Sequence, residues 1–208
     1  MAREGWKINH KRVYRLYKEE NLQIARKKSS RRVKTRPRNS KVDVVRPNQC
    51  WSMDFMSDQL FDGKRFRILT AVDNYTRVCP ILKAGYHYRA VDVVASLSEI
   101  EEEYGLPERI CLDNGPEFIS KELDLWAYTK GVALEFSRPG KPTDNAYIES
   151  FNSRFRDECL NQHWFLNLDD VKSKLDAWRV DYNEERPHSS IGNVSPMQYY
   201  TEYLKQGA

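Results

Sequence analysis

The order of the periodic segments after residue 48 limits the possible folds of this sequence more than any other feature. The first segment alternates Trp51, Met53 and Phe55 with Ser52, Asp54 and Met56, a period of two that predicts a strand, and the next two segments are predicted to be strands joined by short turns. These three segments lie at 50–58, 64–77 and 79–86. Two further short apolar strands are predicted at 108–115 and 132–140. Helical patterns occupy 89–105, 120–131, 144–161 and 168–187. Strands that first follow one another and then alternate with helices predict a mixed sheet covered by helices, an α/β sandwich.

The first 46 residues differ in charge from the rest of the chain. They carry 16 Lys or Arg and 4 acidic residues, a net charge of +12, whereas residues 47–208 have a net charge of −8. A helix is predicted at 9–20 with Asn9 as its N-cap, and the basic stretch after it has almost no apolar side chain to bury. This arm favours a polyanionic partner, because Lys and Arg release counterions when they meet phosphates. The alternative is a tail that only adds solubility.

Composition and residue pattern also indicate how the chain is divided and where it works. We predict a basic arm at 1–46, a core at 47–165 and a helical extension of that core at 166–208. No apolar run approaches the roughly 20 residues that span a bilayer, and the N-terminus lacks an apolar signal segment. The four Cys residues are scattered and lack zinc-site spacing. We therefore expect a cytoplasmic protein with reduced thiols and no membrane partner.

The helix predicted at 144–161 carries two neighbouring stripes of side chains. The apolar stripe is formed by Ile148, Phe151, Phe155 and Cys159. The polar stripe beside it is formed by Asn145, Glu149, Asn152 and Arg156. Core packing gives no reason for amides, a carboxylate and a cation in one line, so the second stripe predicts a binding site.

Three acidic residues on separate elements are candidates for chemistry. Asp54 lies mid-strand on the face opposite the apolar side chains of that strand, Asp113 ends a later strand at the edge where ligands of open sheets bind, and Glu149 lies on the polar stripe. Each alone has an ordinary explanation, as a turn residue or a solvated helix position. Gathered in one place, carboxylates repel unless a cation neutralises them, which favours a hard divalent ion. Two such ions about 3.5–4 Å apart support in-line phosphoryl displacement.

Other acidic residues have structural interpretations. Asp58 and Asp62 belong to a predicted hairpin turn, and Asp73 ends a strand where it could pair with Arg77. Asp144 is the predicted N-cap of the helix with two stripes. None of these is therefore a candidate metal ligand.

The acid spacing and four sequence phrases resemble one protein family. Thirty-five residues separate Asp113 from Glu149. The phrases are WSMDFMSD, DNGPEFIS, RPGKPTDNAYIESFNSRFRDECLN and DYNEERPHSSIGNVSP. They resemble DDE transposases and retroviral integrases, and most closely the second-frame transposase of the insertion-sequence-three family. The resemblance covers about residues 48–200.

This resemblance implies a ribonuclease-H-like integrase core in which Asp54, Asp113 and Glu149 are the catalytic and metal-binding triad. The implied cofactor is Mg²⁺ or Mn²⁺, with two ions in each active site. The implied reaction is 3′-end cleavage of an insertion sequence followed by strand transfer into target DNA. The residues expected to contact DNA are Asn145, Asn152, Arg156, Lys141, Arg31 and Arg32. We expect a dimer or larger homo-oligomer on element ends and target DNA, associated with a bacterial nucleoid.

Two other functions stay open at this point. One is a non-catalytic DNA-binding protein that keeps the fold, and the other is a ribonuclease-H-type nuclease with the same core. Members of the family usually carry a longer N-terminal region with a complete helix-turn-helix, whereas this sequence starts shortly before what resembles the last helix of one. We therefore expect that sequence-specific recognition of element ends is reduced or missing.

Overall fold

The computed structural model describes residues 9–20, 22, 44–138 and 145–206. The chain divides into two compact units, residues 1–41 and 42–208. In the first unit, helix α1 spans His10–Glu19. The side chain of Asn9 accepts a hydrogen bond from the backbone N–H of Lys11 at 3.0 Å, which confirms the predicted N-cap.

The second unit is built on a five-stranded sheet with the order β3-β2-β1-β4-β5. The strands are β1 (Trp51–Gln59), β2 (Arg65–Asp73), β3 (Ile81–Gly85), β4 (Arg109–Leu112) and β5 (Ala133–Phe136). β1, β2 and β3 pair in antiparallel fashion, whereas β4 and β5 add to β1 in parallel. The parallel strands follow helical connections, because parallel neighbours require a crossover. The predicted mixed sheet is therefore confirmed.

Six α-helices in the described part of the second unit pack around this sheet. They are α2 (Ala90–Glu99), α3 (Glu101–Tyr104), α4 (Lys121–Lys130), α5 (Ala146–Glu158), α6 (Leu168–Val180) and α7 (Pro196–Gln206). The single helix predicted at 89–105 is divided at Ile100, and α7 was not predicted. Helix α4 begins as predicted, since Ser120 Oγ accepts the Leu123 N–H at 3.2 Å. Within the described ranges, each helix is too short or too polar to span a bilayer.

Helices cover both faces of the sheet, so successive residues of β1 are buried on opposite sides. Trp51 and Met53 belong to the core beneath α2 and α4, and Met56 belongs to the core beneath α5 and α6. In that second core, the rings of Phe155 and Trp178 lie 4.9 Å apart. An aromatic pair of this kind contributes about 0.5–1.5 kcal/mol beyond its burial. The alternation directs the side chain of Asp54 away from Trp51 and Met53, as predicted, and the structure shows that it meets α5 on that side.

The segment 181–195, which follows α6, fastens that helix to the rest of the unit. The Asn183 side chain accepts a hydrogen bond from the Cys79 N–H at 2.9 Å and donates one to the Cys79 carbonyl at 3.0 Å. Arg186 forms an ion pair with Glu158 at the end of α5. These contacts give much of the phrase DYNEERPHSS a structural role.

Candidate active site

Two parallel strands bring Asp54 and Asp113 to the same part of the sheet. Ser52 of β1 pairs with Cys111 of β4. Asp54 and Asp113 each follow this pair by two residues, so both acids lie toward the same end of the parallel pair, whose strands are about 4.8 Å apart. Asp54 is half-buried, whereas Asp113 lies just beyond the end of β4 and is exposed.

The loop after β4 holds the carboxylate of Asp113. Its Oδ1 accepts the N–H of Gly115 at 2.9 Å, and the side-chain amide of Asn114 donates to the Ser137 carbonyl at 2.8 Å. A Cβ at position 115 would lie 2.9 Å from Asp113 Oδ1 and 3.3 Å from Glu117 Oε2. A side chain at position 115 would therefore displace the Asp113 carboxylate from its hydrogen bond in this loop.

Helix α5 supplies the third acid and is fastened to β1 by its polar stripe. Three stripe side chains donate hydrogen bonds to β1: Asn145 to the Met53 carbonyl at 3.3 Å, Asn152 to Asp54 Oδ2 at 2.8 Å and Arg156 to the Ser57 carbonyl at 3.1 Å. Glu149 lies between the two amides on this side of the helix and is exposed. The stripe thus sets Glu149 beside the strand that carries Asp54.

The charges of the three acids act on one another. Burial raises the pKa of Asp54, and the negative charges of Asp113 and Glu149 raise it further. Hydrogen bonds from the Phe55 backbone and the Asn152 side chain oppose this rise. Carboxylates that raise the proton affinity of a neighbour in this way also attract a shared cation.

The chemistry of these groups suits a hard divalent cation. Each Asp54 oxygen accepts one hydrogen bond, from Phe55 N–H at 2.7 Å or from Asn152 at 2.8 Å, and keeps a lone pair for a metal. Asp113 and Glu149 are exposed. Across 9–20, 22, 44–138 and 145–206, no three Asp, Glu, His or Cys side chains are already arranged to hold a metal ion.

The residues predicted to contact DNA have different surroundings. Asn145 and Asn152 are buried and their amides face β1, which indicates a positioning role, and a direct contact with DNA stays a prediction. Arg156 keeps 42% of its side chain exposed, and its contact with DNA also stays a prediction. Four predicted residues lie outside the described residues: Lys141, Arg31, Arg32 and the expected N-cap Asp144.

The interpretation of Asp73 as structural agrees with its contacts, although its partners differ from the one predicted. Its carboxylate accepts three backbone N–H groups, those of Asn48 at 2.7 Å, Tyr75 at 2.7 Å and Thr76 at 2.9 Å. Arg77, the predicted partner, donates instead to the carbonyl of Asn74 at 2.7 Å.

One ion pair beside the site was not predicted. Arg67 of β2 pairs with Glu117, and its guanidinium lies 4.2 Å from the centroid of the Phe55 ring. Burial opposes ionisation of Glu117, but the hydrogen bond from Arg67 lowers its pKa. The pair ties β2 to the loop that holds Asp113. The sequence carries no signal for it, because the two residues are 50 positions apart and meet only through the strand order.

Comparison with known proteins agrees with this geometry. Two family models, each described as an integrase core domain, match residues 44–142 and 130–196. A 31.7 kDa protein of insertion element IS407 from Burkholderia multivorans is 42% identical over 203 residues, which are 98% of this chain and 73% of that protein. A 39.2 kDa protein of insertion element IS476 from Xanthomonas euvesicatoria is 39% identical over 97% of this chain and 58% of its own length.

A solved structure shows the same fold. The HTLV-2 integrase catalytic core domain in complex with magnesium superposes with a TM-score of 0.61 at 15% identity, over 75% of this chain and 98% of that one. This likeness confirms the ribonuclease-H-like core that the sequence phrases implied.

Proposed function

The chain belongs to the insertion-element transposases that carry an integrase core domain, and we propose that Asp54, Asp113 and Glu149 form its catalytic site. The family consists of DDE-type enzymes that transfer polynucleotide strands. The observation that carries the proposal is geometric: β1 pairs in parallel with the strand that precedes Asp113, and α5, which carries Glu149, is hydrogen-bonded to Asp54 through Asn152. Asp113 and Glu149 thereby come to Asp54 from two different elements. These residues are 59 and 95 positions from Asp54 in the sequence, so only folding brings them into reach.

The same three carboxylates would hold the metal cofactor, Mg²⁺ or Mn²⁺. Two bound ions supply activation of the attacking oxygen and stabilisation of the leaving oxygen. Asp54 is prepared for this role by Asn152, whose amide fixes the direction of Oδ2 and leaves a lone pair open. Asp113 is oriented by the Gly115 N–H, and Glu149 by the bonds that fasten α5 to β1.

The reaction consists of two phosphoryl transfers at this site. Water first attacks a phosphodiester at an element end, and the broken P–O bond leaves a free 3′-OH. That 3′-OH then attacks a phosphodiester of target DNA, forming one P–O bond while the target strand releases its own 3′-oxygen. Each step exchanges one P–O bond for another, so neither a covalent protein intermediate nor an energy source is needed.

DNA is the partner on which the remaining proposals depend. We assign backbone contacts to Arg156 and, beyond the described residues, to Lys141, Arg31 and Arg32 of the loop and the basic arm. The net charge of +12 in residues 1–46 supports this assignment. By analogy with enzymes that pair two DNA ends, we propose that the protein acts as at least a dimer, and that its DNA substrate keeps it associated with the nucleoid.

A strand-transfer assay tests the proposal. Oligonucleotides with candidate element ends are incubated with the protein and Mg²⁺, and joining to a target plasmid is measured. Asp54→Asn, Asp113→Asn and Glu149→Gln should each reduce joining below detection while DNA binding is retained. Asp176→Asn, which changes an exposed acid of α6, is the matched control and should leave joining unchanged.

Three outcomes would overturn parts of this assignment. Joining at the wild-type level by one of the three variants would remove that residue from the site. DNA binding without metal-dependent cleavage by the unmodified protein would favour a non-catalytic binder. Cleavage of an RNA–DNA hybrid without strand joining would favour a nuclease.

A further inference from the structure

A second charged surface lies on the side of α5 that faces away from the carboxylates. Three arginines lie within electrostatic reach of the buried neighbours Tyr182 and His188, namely Arg77, Arg154 and Arg186. Arg186 is balanced by two acids, one on α5 and one after α6. In the part of the chain that the structure describes, Arg77 and Arg154 have no acidic partner. Two uncompensated guanidinium groups therefore remain on this surface.

The first of them is held in place by an unusual backbone. Arg77 has a φ of +70°, in the left-handed region that non-glycine residues rarely adopt. Its N–H donates to the Asp73 carbonyl at 3.0 Å, its guanidinium donates to Asn74, and that group lies 4.3 Å from the ring centroid of Tyr147. Such a conformation persists where surrounding contacts fix it, and it is found preferentially at functional sites. The turn thus holds the Arg77 guanidinium against the first turn of α5.

The second arginine continues the same line along the helix. Arg154 is seven residues after Tyr147, which is two helical turns, or about 10 Å along the axis. It is exposed. A DNA strand advances about 3.4 Å per phosphate along the duplex axis, so a strand that follows α5 from Tyr147, where Arg77 is held, to Arg154 spans about three phosphates.

The outer face of α5 lets a DNA backbone come close between this line and the acids. Glu149 is two residues after Tyr147, roughly 200° around the helix. The part of the helix surface between these two side chains carries small exposed residues, which are Ala146, Ser150 and Ser153. A strand that crosses this face meets the catalytic acid on one side of the helix and the arginines on the other.

The buried histidine of the cluster adds no charge at neutral pH. Burial, and then the positive charges of Arg154 and Arg186, lower the pKa of His188 to about 4. Among the described residues of this surface, the unbalanced charge is therefore that of Arg77 and Arg154.

We propose that Arg77 and Arg154 form a phosphate-binding subsite that holds one DNA strand across α5 beside Glu149. This subsite rests on the proposed function, because that function makes DNA the substrate. Its contacts are to the sugar-phosphate backbone, so they add affinity and position the strand without reading its sequence.

The salt dependence of DNA affinity tests the subsite. Binding of the full chain to a labelled duplex of arbitrary sequence is measured at several NaCl concentrations, for Arg154→Ala, Arg77→Gln and the double variant. Each lost phosphate contact should reduce the slope of log K against log salt by about 0.9, and the double variant by about 1.8. Arg65→Ala is the matched control, because this exposed arginine lies at the opposite end of β2 from Arg77.

The outcomes separate the subsite from the proposed function. Slopes that are unchanged in Arg154→Ala, whose side chain is exposed, would overturn the subsite even if Arg77→Gln folded poorly. An equal decrease in slope for Arg65→Ala would show that the slope depends only on the net charge of the protein, and this result would also overturn the subsite. A protein that shows the expected slopes but fails to join strands would instead contradict the catalytic proposal.

Discussion

Asp54 of β1 and Asp73 of β2 lie on paired strands, and burial raises the pKa of both, yet their surroundings differ. Asp73 is only 2% exposed, and three backbone N–H groups occupy its two oxygens. Asp54 is half-buried, accepts one backbone and one side-chain hydrogen bond, and is exposed to the negative charges of two other acids.

Their partners, more than their burial, distinguish the structural carboxylate of Asp73 from that of Asp54, for which we propose a catalytic role. The three N–H groups stabilise the charge of Asp73, and its carboxylate gives each of them a hydrogen-bond acceptor. Asp73 therefore stabilises the turn after β2. The surroundings of Asp54 leave part of its charge uncompensated. This uncompensated negative charge destabilises the folded protein and attracts a cation, a combination that is typical of catalytic sites.

The largest effect is expected where the carboxylate is structural. Asp73→Ala leaves three backbone N–H groups without their acceptor, and each buried unsatisfied donor costs about 1–3 kcal/mol. We expect the free energy of unfolding to fall by about 3 kcal/mol or more in urea denaturation. Asp54→Asn should change it by on the order of 1 kcal/mol or less. Equal losses in the two variants would break the distinction between these residues.

A smaller effect is expected when the positioning amide of Asp54 is removed. Asn152→Ala deletes the hydrogen bond to Oδ2, and loss of a group that orients a metal ligand typically weakens metal affinity by about 10–100-fold. The Mg²⁺ concentration that gives half-maximal strand transfer should rise by about this factor. Asn161→Ala, at an exposed asparagine after α5, should leave it unchanged. An unaltered Mg²⁺ requirement in Asn152→Ala would show that the amide only supports packing.

The smallest effect concerns the pH dependence of stability without metal. The folded-state pKa of Asp54 is raised above its ordinary value of 3.8, so the folded protein binds this proton more tightly than the unfolded chain does. Its contribution to stability is present below pH 3.8 and is lost as the pH rises through the folded-state pKa. Asp54→Asn cannot ionise and so does not lose this stability. The free energy of unfolding of the variant should therefore exceed that of the wild type at pH values above the folded-state pKa of Asp54.

Urea denaturation in EDTA between about pH 3 and pH 8 measures this gain, which should be on the order of 1 kcal/mol or less. The difference between the two proteins should shrink toward pH 3 and also when Mg²⁺ is added to the wild type. A constant difference at every pH would mean that the substitution acts through packing and not through the charge of Asp54.

Local periodicity was enough to predict most of the helices and strands, and also the face of β1 on which the Asp54 side chain lies. The period-two pattern of β1 predicted that Asp54 points away from Trp51 and Met53, and the two stripes of α5 predicted a polar line next to the core. The N-cap roles of Asn9 and Ser120 could also be predicted from the sequence, because a cap depends only on the few residues around it. The division of the helix at Ile100 and the presence of α7 were not.

The order of the residues was enough to predict which side chains of β1 and α5 face the core, how the charge is distributed, and which phrases resemble the transposases. The contacts between Asn152 and Asp54, between Arg67 and Glu117, and between Arg77 and Tyr147 follow from the three-dimensional fold. The physical reason is that helical and strand patterns arise from contacts within a few residues. These pairs span 50 to 98 positions and exist because of strand order and register, which local patterns do not encode.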